Sequence, residues 1–287
     1  TAGLTDVWGL NYEFEELDFA RSAAPTGCAV VSECANLPYA RRGHWAAEAQ
    51  QAAMMREAAR RTEAAGPGAA GWTLWSFADY ATPRRQRWFR ECGVVDGWRA
   101  PKLAADWARA RFAAKPFLSV RGDWSFGAGL RRRLYVATNV REVRMIRAAG
   151  TGEIFAVPEP GWIEIDVEFD GGPVRFVGAG VETTLEPWDE PAGFSVRAET
   201  LAPNLFRCRL QIADERGTPV LGFEGEALVR LPAGARASLV GGEAAPVHAG
   251  QATFYVETAG SADIVMECHV AGCGQQSIRL PTGGGRP

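Results

Sequence analysis

Residues 29–45 read AVVSECANLPYARRGHW, an apolar run that passes directly into Ser32 and the carboxylate Glu33 before a loop begins. A strand covered by helices on both faces reads as a continuous apolar run. In parallel α/β folds, catalytic groups stand at the C-terminal ends of such strands. The stretch therefore predicts a buried parallel strand with Glu33 as a candidate catalytic carboxylate at its end. A surface carboxylate at the start of a loop is the simpler alternative.

The first 113 residues alternate strand-like segments with helix-forming segments. The strand-like segments are DVWGLNY (6–12), CAVVSE (28–33) and AAGWTLWSFADY (69–80). The helical segments are EFEELDFARSA (13–23), HWAAEAQQAAMMREAARRTEAA (44–65) and PKLAADWARARFAA (101–114), in which Pro101 suits the first turn. Alternation of this kind is typical of parallel βα units.

The helical signal ends near Phe117, and strand-length segments separated by turns follow, such as GWIEIDVEF (161–169) and ATFYVETA (252–259). Regular short strands of this sort are typical of β-sandwiches. The segment WDEPAG (188–193) reads as a joint between two modules. We therefore predict domains at 1–114, 115–190 and 191–282, followed by a disordered tail at 283–287.

Composition and charge narrow the classes of partner and site. The formal net charge is -3, whereas phosphate neutralisation requires a clearly basic face, so we expect no nucleic-acid partner. No apolar run reaches the length of about 18 residues that spans a bilayer, so we expect no membrane partner. The six cysteines include no CxxC pair and indicate free thiols. We expect no metal and no cofactor, with a partial metal cluster at Cys268, His269 and Cys273 as the minor alternative.

Four segments in order resemble the second half of the catalytic barrel in glycoside hydrolase family 2, the family of β-galactosidases, β-glucuronidases and β-mannosidases. DVWGLNY resembles the sixth-strand motif with its terminal Asn-Tyr pair. VVSECANLPYARRG resembles the seventh-strand segment, where a Ser-Glu or Thr-Glu pair carries the nucleophile and an Arg-Gly pair follows. GWTLWSFADY resembles the eighth strand, and ECGVVDGWRAPK resembles the segment that closes the barrel.

The resemblance implies a multidomain α/β plus all-β fold: the C-terminal half of a (β/α)8 TIM barrel, then two immunoglobulin-like (Ig-like) β-sandwich domains. LYVATNVREVRMI (134–146) and NLFRCRLQIADERGTPV (204–220) are similar to segments of the family's sandwich modules. The Ser-Glu pair followed by Arg-Gly favours the β-galactosidase branch.

The resemblance also implies roles for individual residues. Glu33 is the expected nucleophile of a retaining double displacement, a reaction that needs two carboxyl groups about 5 to 5.5 Å apart. Asn11 and Tyr12 are either substrate-binding or a strand-capping pair. Of the strand tryptophans, which are more often core residues, Trp75 is the expected sugar platform. Asp79 either binds substrate or orients a loop.

Parts of the family's enzyme do not occur in this sequence. A complete barrel takes about 250 residues, and the family's acid/base Asn-Glu pair occurs nowhere here. Because the chain also begins with Thr, we expect it to be the C-terminal part of a longer β-galactosidase-like enzyme. Its expected partners are a β-linked oligosaccharide or glycoside and the missing N-terminal half. Alone it should hydrolyse almost nothing, because acid/base assistance supplies about 10²–10⁴-fold.

Two further expectations follow from the same sequence features. Half a barrel has two open parallel strand edges, which predicts aggregation or a homo-oligomer of the isolated chain. The large sandwich share supports an alternative function, a non-catalytic carbohydrate-binding or adhesion protein that uses residues 114–287.

Overall fold

The structure is a computed structural model that describes residues 7–23, 27–81, 89–125, 127–150, 152–158, 161–259 and 264–280. The predicted tail, residues 283–287, lies outside these residues. Three hydrophobic cores organise the described part of the chain, one around a parallel sheet and one in each of two later pairs of antiparallel sheets.

A three-stranded parallel sheet forms the N-terminal part, with strand order β1-β2-β3. Its strands are β1 (Val7–Asn11), β2 (Cys28–Cys34) and β3 (Ala69–Leu74). Its helices are α1 (Leu17–Ala23, after a 3-10 turn at Phe14–Glu16), α2 (Trp45–Ala64) and α3 (Leu103–Phe112). Two short strands, β4 (Tyr80–Ala81) and β5 (Phe89–Arg90), pair before α3. The predicted alternation of parallel strands and helices is confirmed.

Helix α2 forms because nearly all of its residues are strong helix formers. Its buried residues, which include Gln51, Met55 and Ala59, recur every three or four positions and therefore lie on one face. This face shares a core with Val31 of β2 and Trp107 of α3. Packing against that core, together with intrinsic propensity, holds the helix on the sheet.

Helix α3 begins at Leu103, so the prediction that Pro101 lies in its first turn is wrong. Pro101 instead forms an isolated bridge with Val95. The buried carboxylate of Glu48 accepts hydrogen bonds from the backbone N–H of Leu103 at 2.7 Å and of Gly43 at 2.6 Å. A side chain of α2 thus satisfies a free backbone N–H at the start of α3.

Seven antiparallel strands form the first sheet pair, with orders β10-β7-β6 and β12-β11-β8-β9 around one core. They are β6 (Leu118–Gly122), β7 (Arg131–Thr138), β8 (Glu142–Arg147), β9 (Gly152–Ala156), β10 (Ile163–Glu168), β11 (Val174–Gly178) and β12 (Val181–Leu185).

Eight strands form the second sheet pair, with orders β13-β14-β18-β16 and β17-β15-β19-β20 around another core. They are β13 (Gly193–Ala202), β14 (Leu205–Ala213), β15 (Gly225–Arg230), β16 (Ala237–Val240), β17 (Ala244–Val247), β18 (Gln251–Thr258), β19 (Val265–Val270) and β20 (Gly274–Arg279). The chain is therefore mostly β, with its few long helices confined to the N-terminal part.

Two sets of contacts join these parts. At the predicted joint, the Trp188 backbone N–H donates to Ser125 Oγ at 2.9 Å, while the Trp188 ring lies in the core of the second sheet pair. Arg42, in the loop before α2, donates to Asp96 at 2.7 Å and to the carbonyl oxygen of His248. Arg42 therefore links the parallel sheet region to the second sheet pair.

The cysteine region of β19 does not form a metal cluster. Cys268 is buried in the core and His269 is exposed, because neighbouring strand residues point to opposite faces of the sheet. Burial raises the pKa of the Cys268 thiol to about 11. Among the described residues, no group of three side chains is arranged to hold a metal ion. Within the same residues, no helix is long and apolar enough to cross a bilayer.

Candidate active site

The C-terminal ends of the three parallel strands bring the sequence-predicted side chains together. Asn11 at the end of β1 pairs in register with Glu33 of β2, and the Tyr12 backbone N–H donates to the Glu33 carbonyl at 2.9 Å. On the other side, the Trp75 N–H donates to the Cys34 carbonyl at 2.8 Å. Glu33 therefore lies between Tyr12 and Trp75 on one edge of the sheet.

A hydrogen bond fixes the Glu33 carboxylate, because the Tyr12 hydroxyl donates to Glu33 Oε2 at 2.9 Å. Tyr12 has a φ of 63°, in the left-handed region that non-glycine residues rarely adopt. Such strained residues cluster at functional sites. Burial and the neighbouring Glu33 raise the pKa of the Tyr12 hydroxyl to about 12. The hydroxyl therefore stays protonated near neutral pH and can only donate to this carboxylate.

Asn11 is positioned by Ser32, the residue that precedes Glu33. Ser32 Oγ donates to Asn11 Oδ1 at 2.5 Å, and Thr73 Oγ1 of β3 donates to the Ser32 carbonyl at 2.5 Å. These contacts link β2 to β1 and β3 at Ser32, the residue next to Glu33. Asn11 itself is exposed, so its amide lies at the open surface of the site.

The two tryptophans of the third strand segment have different surroundings. The half-buried ring of Trp72 packs against Trp107 of α3, with ring centroids 6.3 Å apart. Trp75 is 38% exposed, and its Nε1 donates to the Tyr80 hydroxyl at 3.0 Å, which holds the indole in one orientation. Of the two rings, Trp75 is therefore the more exposed.

Asp79 points into the protein and is not placed to contact a substrate. Its side chain is 3% exposed, and its Oδ1 accepts hydrogen bonds from Lys102 Nζ at 2.6 Å and from the Gly93 N–H at 2.8 Å. Lys102 is fully buried. Burial raises the pKa of Asp79 to about 6 against the opposing effect of Lys102, which leaves the carboxylate ionised at neutral pH. These buried contacts favour the loop-orienting alternative for Asp79 over the substrate contact.

Gly93 permits this arrangement through a close backbone approach. A Cβ atom at this position would lie 2.1 Å from the carbonyl carbon of Ala78. Only glycine lets the 91–96 segment run against the loop that carries Trp75 and Asp79. Lys102 also donates to the Glu91 carbonyl at 3.2 Å, so one buried amine holds both segments.

Sequence reasoning missed Lys102 and Asn36 as parts of this site. Lys102 is one of two lysines in the sequence, and this rarity was the only available signal. Asn36 lies beside the Tyr12 side chain, and its Oδ1 is buried without a hydrogen-bond partner among the described residues. A buried acceptor of this kind requires an explanation, and a ligand hydroxyl would satisfy it.

On the sequence-based expectation that the chain is part of a longer β-glycosidase, Tyr12→Phe should lower the kcat/KM of that enzyme for aryl β-glycosides by about ten- to a hundredfold. The variant removes a hydrogen bond to a charged group, which contributes about 1.5–3 kcal/mol. Steady-state kinetics measures the loss. Tyr255→Phe, the same change on a strand of the second sheet pair, is the matched control. Equal kinetics for the two variants would contradict a role for the Tyr12 hydroxyl.

No protein-family model and no curated protein matches the sequence. Solved structures share the fold. A β-glycosidase from Bacteroides vulgatus is similar with a TM-score of 0.80 and 14% sequence identity, over 97% of this chain and 45% of that one. A β-glucuronidase from glycoside hydrolase family 2 is similar with a TM-score of 0.74 and 16% identity, over 97% of this chain and 33% of that one.

A third similar structure is a glycoside hydrolase family 2 member from Bacteroides cellulosilyticus, with a TM-score of 0.72 and 14% identity. The similarity covers 96% of this chain and 42% of that one. The chain thus spans less than half the length of each of these structures. The resemblance to glycoside hydrolase family 2 read from the motifs is confirmed at the level of the fold.

Proposed function

We propose that this chain carries the nucleophile half of a retaining β-glycosidase active site, with Glu33 as the nucleophile. The observation that carries the proposal is the hydrogen bond from Tyr12 to Glu33 at 2.9 Å, at the C-terminal edge of a parallel sheet and beside the exposed ring of Trp75. A retaining nucleophile must be ionised and fixed in position. A donor that stays protonated next to the carboxylate holds it in position.

The proposed reaction has two steps, and Glu33 takes part in both. A Glu33 oxygen attacks the anomeric carbon while the glycosidic C–O bond breaks, and a second carboxyl group protonates the departing oxygen. Water activated by that second group then releases the sugar from Glu33. Trp75 offers an apolar face to the sugar ring during both steps. We propose that the second carboxyl group lies on a part of the protein outside this chain.

The same proposal extends to the architecture. β1 and β3 are the outer strands of the sheet. Further parallel strands pairing at these edges would complete a (β/α)8 TIM barrel, with residues 1–114 as its C-terminal half. The two sheet pairs, each with its own core, support two Ig-like domains at 115–190 and 191–282. The open edges also support self-association of the isolated chain, which light scattering tests.

The β-galactosidase specificity remains a proposal that rests on the Ser32-Glu33 pair. The downstream Arg-Gly pair supports this specificity less strongly. Arg42 is buried in an ion pair with Asp96 and is therefore not available to hydrogen-bond a sugar hydroxyl. A panel of aryl β-galactosides, β-glucuronides and β-mannosides tests this branch in the longer protein. Preference for a sugar other than galactose would reject it.

A mechanism-based 2-fluoroglycoside tests the nucleophile directly. In the longer protein it should trap a covalent adduct on the peptide that contains Ser32, Glu33 and Cys34, which mass spectrometry of a digest reads. The Glu33→Gln variant should stay unlabelled, as should this chain alone, which lacks the proposed acid/base group. An adduct on a different carboxylate would place the nucleophile on another strand.

A further inference from the structure

A second cleft lies where the three parts of the chain meet. This cleft has a volume of about 570 Å³, within the range of ligand sites in proteins. Its walls come from the loop around Arg42, the segment containing Trp98, strand β6, and the outer face of β13, β14 and β18. The lining includes none of Glu33, Tyr12 or Trp75, so the cleft is separate from the candidate active site.

Two arginines face each other across one wall of the cleft. Arg197 of β13 and Arg209 of β14 are directly opposed in the antiparallel register, and both are exposed. Opposed residues have Cβ atoms about 5 Å apart, and like charges in this position destabilise a sheet. This pair does not stabilise the fold, whereas an anion bound between the two guanidinium groups would be attracted to both and would offset their repulsion.

The acidic groups near this wall do not neutralise it. Glu199 lies 3.6 Å from Arg209, but it already forms an ion pair with Arg207. Arg197 has no acidic partner among the described residues. Glu199 therefore pairs with Arg207 and Arg209 and no described carboxylate pairs with Arg197, which leaves a local positive surplus.

The rest of the cleft adds one more arginine without an acidic partner among the described residues and an aromatic surface. Of the five arginines in the lining, Arg42 is paired with Asp96 and Arg121 with Asp106, so the excess lies on Arg99, Arg197 and Arg209. The indole of Trp98 lines the cleft and is held against Tyr255 of β18, with ring centroids 6.0 Å apart. The Ser195 hydroxyl, two residues before Arg197 on the same face of β13, also lines the cleft. Paired guanidinium groups recognise planar or tetrahedral oxyanions, and an aromatic face accommodates the apolar face of a sugar ring.

We infer that this cleft binds an anionic sugar, with Arg197 and Arg209 holding its carboxylate or sulfate group and Trp98 contacting its ring. This site does not depend on the proposed catalysis at Glu33. It would let the protein hold an acidic glycan away from the point of cleavage.

Titration calorimetry on the described chain tests the inference with four probes: methyl glucuronide, glucose 6-sulfate, methyl glucoside and inorganic sulfate. We expect at least one anionic sugar to bind about tenfold or more tightly than both the neutral glucoside and inorganic sulfate. The better of the two anionic sugars identifies the anion. Binding should weaken as salt is raised, because exposed charges are screened.

Matched variants distinguish binding in the cleft from nonspecific attraction to positive surface charge. Arg197→Gln and Arg209→Gln should each weaken binding of the anionic sugar by about tenfold. Arg230→Gln, on an exposed strand position of the opposite sheet, should leave it unchanged. Equal affinity for the neutral glucoside, equal affinity for inorganic sulfate, no saturable binding of either anionic sugar, or equal losses in all the arginine variants would overturn the inference.

A second measurement does not need a ligand. Because Arg197 opposes a like charge, Arg197→Gln should raise the melting temperature of the free chain by about 1–2 °C. A lower melting temperature would mean that Arg197 stabilises the fold, which contradicts the repulsion on which the inference rests.

Discussion

Glu33→Gln is expected to lower the turnover of the proposed longer glycosidase by on the order of 10³-fold or more, while its thermal unfolding is unchanged. Glutamine keeps the size of the side chain and an oxygen that can accept the Tyr12 hydrogen bond. It removes the negative oxygen that attacks the anomeric carbon, and no other carboxylate is bonded to Tyr12 in the described residues. Steady-state rates with activated aryl β-glycosides measure the loss, and calorimetry measures the unfolding.

The control for this experiment is Glu168→Gln, the same change on an exposed strand position of the first sheet pair. It should leave turnover within about twofold, because it touches neither the candidate site nor a core. A Glu33→Gln enzyme that keeps more than a tenth of the original rate would reject Glu33 as the nucleophile. The fold similarity to glycosidases would then remain, without the proposed role.

Lys102→Met lowers the free energy of unfolding of the described chain by about 3–5 kcal/mol, the usual cost of breaking a buried ion pair from one side. Lys102 has no exposed side-chain surface, and its amine lies 2.6 Å from Asp79 Oδ1. Without the amine, the ionised Asp79 carboxylate stays buried with only the Gly93 N–H as a donor. Urea unfolding at about pH 8 measures the effect.

The loss of unfolding free energy in Lys102→Met should depend on pH, and the direction of that dependence follows from the pKa of Asp79. Burial already raises the pKa of Asp79 to about 6, and loss of the Lys102 charge raises it further. A carboxyl group whose pKa is raised on folding favours the folded state at low pH and disfavours it as pH rises through the raised pKa. The deficit of Lys102→Met should therefore shrink between about pH 8 and about pH 5.

Two further variants test the source of the loss. Lys115→Met removes the chain's only other lysine, which is exposed, and should change the unfolding free energy by less than about 0.5 kcal/mol. Adding Asp79→Leu to Lys102→Met should recover most of the stability, because both charges then leave the interior. A loss below about 1 kcal/mol for Lys102→Met would mean that the pair does not hold the loop.

The local sequence pattern was sufficient to predict the strand and the helix around Glu33. The apolar run before Glu33 predicted β2, and the long series of helix formers from His44 predicted α2 to within one residue at each end. Parallel pairing then followed from the alternation of strands and helices, and it places the C-terminal ends of β1 and β2 at one edge. For that reason the proximity of Tyr12 and Glu33 could be expected before any coordinates were known.

Contacts between residues far apart in the chain could not be predicted in this way. The start of α3 depends on Glu48, which is 55 residues away, and the orientation of Asp79 depends on Lys102, which is 23 residues away. A helix-start pattern is the same whether its lysine faces solvent or a buried carboxylate. Pro101 was misplaced, and the two readings of Asp79 stayed open, because packing and not local preference determines their partners.

Strand register in the second sheet pair also could not be predicted from the local sequence. Alternation along β13 and β14 predicts which residues share a face, so it puts Arg197 and Arg209 on outward positions. A shift of two residues would keep that alternation and oppose Arg197 to a different side chain. The chain's local order therefore specifies strands, helices and buried faces, because these depend on neighbours within a few residues. The opposed arginines, the buried Asp79–Lys102 pair and the exposure of Trp75 arise only when distant segments pack, because each depends on a register or a contact that no local pattern encodes.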